Sequence, residues 1–207
     1  MAFECKIGEG TMYKKQLKGQ KIVCFVAIAA CALAFLYSLG LMTDLYDGLY
    51  FLMPDYNAPE MDKLAGARIY YDMQPFNKQL LNRAIMLLLL ACGLFLTNTH
   101  SRRRYYIGNT VSNALFVGAG AAFCVWMHKE VEAFKAAFFQ IDFEAYKELT
   151  ASGSGTYVDS PFWFDAHWAV IGLICLACVL LVANYVWKRV LERQEKRLIE
   201  AGRKAAE

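Results

Sequence analysis

The sequence predicts an all-α, polytopic membrane protein with four transmembrane helices, both termini in the cytoplasm, an extended third helix and an ordered extracytoplasmic cap. Three observations predict it. Four long apolar runs punctuate the chain. Basic residues gather in alternate connections between them. The composition, 57% hydrophobic with a mean hydropathy of +0.28, is more apolar than soluble domains usually are.

A helix needs about 20 residues to cross the hydrocarbon core. The first run, Ile22 to Met42, carries no charge and is too long for the apolar part of a cleavable signal. The polar segment before it, 1–21, reads as cytoplasmic, with residues 1–11 expected to carry no essential structure because Met12 followed by Tyr13-Lys14-Lys15 would itself make a natural start. The second run, 80–98, is shorter in its strictly apolar part, and Arg83 at its outer end is expected to snorkel to the headgroups. The third is 105–127 and the fourth 167–187.

Charge sets the orientation. Lys6, Lys14, Lys15, Lys18 and Lys21 precede the first run, Arg102, Arg103 and Arg104 fill the 99–104 turn, and 188–207 is a basic, helix-forming tail. The connections 43–79 and 128–166 are acidic. The positive-inside rule then puts both termini and the short turn in the cytoplasm. The net charge of +3 gives no argument for nucleic acid.

The segment 43–79 holds many aromatics and the breaks Pro54, Pro59 and Pro75, so it reads as an ordered cap on the bilayer surface and not as one continuous helix. Val131, Phe134, Phe138, Ile141 and Ala145 recur at helical steps, and no breaker separates them from the third run. The third helix is therefore expected to continue to about Leu149 before a flexible return. The stretch Pro161 to Trp168, PFWFDAHW, then enters the membrane, with Pro161 suited to a helix start, aromatics suited to the interface and Asp165 suited to the first turns.

Cysteine lies outside both outer segments, so these hold no disulfide. The pair Cys175 and Cys178 forms a CxxC, but the quinone-linked thiol oxidoreductases also need an outer cysteine pair, and the comparison fails; the disulfide-tied loops of tetraspanins and claudins are missing too. No Asn-x-Ser/Thr acceptor lies in an outer segment, which leans toward a bacterial plasma membrane. No phosphate loop, HExxH, GxSxG or paired carboxylate on one membrane helix is present, so no enzyme activity and no cofactor are expected.

Candidate residues are few. His128 ends the third run and His167 starts the fourth; with Asp165, and with Glu132 as a further member, they form an outer polar cluster able to meet at a metal or a proton if the helices are neighbours. No ligand pair is read at a metal-ligand repeat within one helix, so the cluster is taken as interfacial polarity and no metal is expected. Asn109, Ser112, Asn113 and Asn184 are read as interhelical hydrogen-bonding groups. Ala114, Gly118 and Ala122 make a small-residue seam on the third helix, and Ala30, Ala34 and Ser38 one on the first; both are read as packing surfaces. The expected function is a non-catalytic accessory or assembly subunit of a larger membrane complex such as a transporter, with lipid and other membrane subunits as partners. The alternatives are a small oligomeric transporter or channel and a membrane enzyme built on the outer His/Asp residues.

Overall fold

The computed structural model describes residues 2–42, 69–100, 105–143 and 160–205. Among these residues are four long helices and no strand: α1 (Ala2–Gly40), α2 (Ile69–His100), α3 (Ile107–Phe138) and α4 (Phe162–Lys204). Each is long and apolar enough to cross a membrane, which makes this a multi-pass membrane protein by length and composition. The cap over 43–68, the Arg102–Arg104 turn and the return through 144–159 lie outside the described residues.

Buried positions repeat at steps of three and four, the spacing of helix-bundle seams. On α1 they include Gln16, Gln20, Cys24, Ala27, Cys31, Ala34, Ser38 and, just past its end, Leu41. On α2 they include Leu80, Ala84, Leu87, Ala91, Leu94 and Asn98, and on α4 Ile174, Ala177, Leu181, Asn184, Lys188 and Leu191. The opposite faces expose Phe25, Leu89, Val125 and Leu176, a surface suited to hydrocarbon and not to water.

The chain divides into two compact units, and every helix gives a segment to each. The first comprises Met1–Ala30, Leu87–Gly120 and Ile174–Glu207; the second comprises Cys31–Met86 and Ala121–Leu173.

Two expectations are corrected. The helix α2 begins at Ile69, so Pro75 sits inside it and not in a broken cap. A proline there removes one early backbone bond, and burial of Ile69, Met73, Phe76 and Leu80 along the same face outweighs that loss. The helix α3 runs beyond Met127 but ends at Phe138, well short of Leu149. Its last turn tightens, with Gln140 N donating to Ala137 O at 3.0 Å and Ile141 N to Phe138 O at 3.2 Å. The turn keeps both Phe138 and Ile141 buried, so tertiary burial stops a helix that local propensity would have continued. The basic tail does continue α4, to Lys204.

Within the second unit, Arg83 places its guanidinium 3.7 Å from the centre of the Trp126 ring and donates to Gln79 Oε1 at 3.4 Å. The expected snorkelling cation is exposed and rests on an aromatic platform that α3 supplies. Tyr37 OH donates to Trp163 O at 3.0 Å, and the Trp163 indole fills the space beside Gly40 that a Cβ would need. Gly40→Ala is therefore expected to cost about 1–3 kcal/mol through overpacking. Thermal unfolding in detergent checks this: the midpoint should fall in Gly40→Ala and recover when Trp163→Leu is added.

Candidate functional site

The second unit holds the more compact chemistry. Helix α4 starts directly after Pro161, whose carbonyl takes the Asp165 N–H at 3.0 Å, while the Phe162 N–H donates to Ser160 Oγ at 3.3 Å. From there the side chains of the PFWFDAHW stretch divide by face. Phe162 and Trp168 are exposed, Trp163 lies on Gly40, and Phe164 is buried against Phe138 with ring centres 5.2 Å apart. Three residues on, His167 is wholly buried. Interfacial anchoring thus accounts for two of the rings, and core packing for Trp163 and Phe164.

His167 meets His128 of α3, Nε2 to Nδ1, at 3.1 Å, with the rings near parallel. Its other nitrogen, Nδ1, lies against the Phe164 carbonyl. A carbonyl only accepts, so Nδ1 carries the proton and Nε2 presents a lone pair toward His128. Glu132 Oε1 stands 3.6 Å from the same Nε2. The Trp168 ring covers both imidazoles, with centres 4.7 Å from His128 and 5.1 Å from His167. Asp165 does not join them: its carboxylate takes the Lys135 ammonium. That pairing also offsets the cation standing one turn beyond Glu132.

The cluster is therefore His128, Glu132 and His167, with Asp165 at one remove. One helix does supply two of the three donors. His128 and Glu132 are four residues apart, which is one helical turn and a ligand repeat.

The first unit holds a buried polar network. Asn98 Oδ1 accepts from Asn109 Nδ2 at 3.3 Å and Asn113 Nδ2 at 3.2 Å. The Asn98 carbonyl takes Gln20 Nε2, and Asn109 Nδ2 also reaches Thr97 O at 2.8 Å. Asn184 accepts from Gln16 Nε2 at 3.2 Å and donates to Tyr105 OH at 3.2 Å. Asn109, Asn113 and Asn184 thus make the interhelical bonds expected of them. Among the described residues, Ser112 bonds only within its own helix, to Gly108 O.

Gln16, Gln20 and Lys188 were not anticipated here. Lys188 is fully buried, donates to Gln16 Oε1 at 3.2 Å and stands 5.5 Å from the ring centres of both Tyr13 and Tyr105. Its charge places it in the basic tail. The seam spacing is the signal that finds it, since Lys188 follows Leu181 and Asn184 in the same three-four register.

The two small-residue seams differ. Ala30, Ala34 and Ser38 of α1 are buried. Ala114, Gly118 and Ala122 of α3 are all exposed, and a Cβ on Gly118 would meet nothing within 4 Å. In the first unit, Ala114 and Gly118 line a groove of about 440 Å³ between α3 and α4, closed by Val117, Leu181, Val182, Asn113, Thr110 and Tyr185. At its polar end Arg189 donates to Thr110 Oγ1 at 3.0 Å and Tyr185 OH at 3.1 Å.

No protein-family model matches the chain, and no curated protein or solved structure matches it.

Proposed function

We propose that this protein is a non-catalytic accessory or assembly subunit of a larger membrane complex, such as a transporter, and that it receives a partner's transmembrane helix along Ala114 and Gly118. The observation that carries this reading is the exposed seam of α3 beside an apolar groove. Hydrocarbon gives no strong drive for helices to associate, so close backbone approach over small residues is what selects a neighbour. The buried seam of α1 uses its small residues inside the chain, whereas that of α3 has no such use for Gly118. The basic N-terminal segment and α4 tail support cytoplasmic termini, and the cysteine-free outer segments support a bacterial plasma membrane.

The test is native purification in mild detergent with mass spectrometry. The wild-type chain is expected to bring down a different membrane protein in fixed ratio. Gly118→Leu should lose that protein by at least tenfold while keeping its helix content and melting temperature, because the new side chain points into open space. A wild-type chain that elutes alone or only with copies of itself overturns the accessory reading.

A further inference from the structure

We propose that His128, Glu132 and His167 bind one divalent transition-metal ion, of zinc type, with one coordination position left open. The three side chains offer one donor atom each, and these atoms lie within 4.8 Å of one another. Two of the separations are 3.1 Å, between the imidazole nitrogens, and 3.6 Å, from His167 Nε2 to Glu132 Oε1. A tetrahedral ion with bonds of about 2.0–2.1 Å sets its donors about 3.3 Å apart, between those two values. The His128–Glu132 pair lies within the same 4.8 Å bound, so the three donors close onto one ion by side-chain rotation.

The donor set is that of a zinc-type centre: two neutral imidazoles and one carboxylate, giving a site of net charge +1 when a divalent ion enters. Orientation is already provided. The Phe164 carbonyl holds Nδ1–H of His167, which is the outer-shell bond that metal-ligating histidines usually make, and it aims the Nε2 lone pair at the cluster. His128 needs only to move its proton from Nδ1 to Nε2, so binding to the neutral pair requires no net proton release. His128 and Glu132 come from adjacent turns of α3 and His167 from α4, so the ion would cross-link two helices within the second unit. His167 is buried, but the Glu132 side chain is 41% exposed, which gives the ion a route in. Three protein ligands with an open position suit a site that takes water or a fourth ligand from a partner.

The experiment uses the full chain, purified in mild detergent without a polyhistidine tag and stripped with chelator. Co²⁺ is titrated by visible absorption, and Zn²⁺ is then added in competition. One equivalent of Co²⁺ per chain is expected, with tetrahedral absorption bands that Zn²⁺ abolishes. His128→Ala, His167→Ala and Glu132→Gln should each weaken binding by at least about tenfold, while His100→Ala, in the other unit, leaves it unchanged. Should His167→Ala fail to fold, Glu132→Gln decides, because its side chain is partly exposed and keeps its shape. A folded wild-type chain that takes up no stoichiometric metal overturns the proposal. So does binding that survives Glu132→Gln undiminished. The result is independent of the partner test, since purified chain alone suffices.

Discussion

Phe138→Ala is expected to destabilise the protein by about 3–5 kcal/mol, the usual cost of deleting a buried phenylalanine. Phe138 is 1% exposed, and its ring centre lies 5.2 Å from that of Phe164 and 5.3 Å from that of Phe143. It is also the last residue of α3. The truncation therefore removes apolar burial, opens a cavity against Phe164 and loosens the turn that ends the helix. For a chain of this size the loss corresponds to a melting-point drop of roughly 6–20 °C. Thermal unfolding in detergent measures it. Phe139→Ala is the comparison: the neighbouring ring is 63% exposed, and its removal should change stability by no more than about 0.5 kcal/mol. Equal effects from the two would mean that the end of α3 is not packed as described.

Asn98→Leu is expected to cost about 2 kcal/mol, or roughly 4–8 °C. The size is near that of the native side chain, so the loss comes from polarity and not from volume. The substitution removes an acceptor shared by Asn109 and Asn113 and a donor 3.7 Å from Cys24 Sγ. Interhelical hydrogen bonds in membranes average only about 0.6 kcal/mol, so a single bond would give a small change. Two donors losing one buried acceptor, with leucine placed among amides, gives a larger one. Ser112→Ala sets the baseline, because that hydroxyl bonds only to its own helix. A midpoint for Asn98→Leu within 1 °C of that baseline would show that the network adds nothing to stability.

The four long helices were legible because length and apolar content are local properties. Helix ends were less so. Nothing near Phe138 breaks a helix, and the stop depends on Phe164, which lies 26 positions further along the chain. Pro75 misled in the opposite sense, since a breaker near a helix start is tolerated when the flanking face is buried. The candidate site was half legible. His128 and His167 stood out as isolated imidazoles at facing ends of two runs, and Glu132 was named beside them. Asp165 was drawn in by proximity in sequence, although it points to a different side of α4 from His167 and meets Lys135. Lys188 was hidden because the same charge that marks a cytoplasmic flank also marks a buried, ring-covered ammonium. Only the register of its seam separates the two.

The pairing of α1 with α4 imposes a wait during synthesis. Gln16 donates to Asn184, its bonded partner 168 residues later, and accepts from Lys188, 172 residues later. At about 5–20 residues per second, a ribosome takes roughly 10–30 s to supply those partners. For that interval the newborn α1 carries two glutamines and no companion from α4 for Gln16. Whatever inserts the chain must shelter an incomplete bundle until α4 arrives.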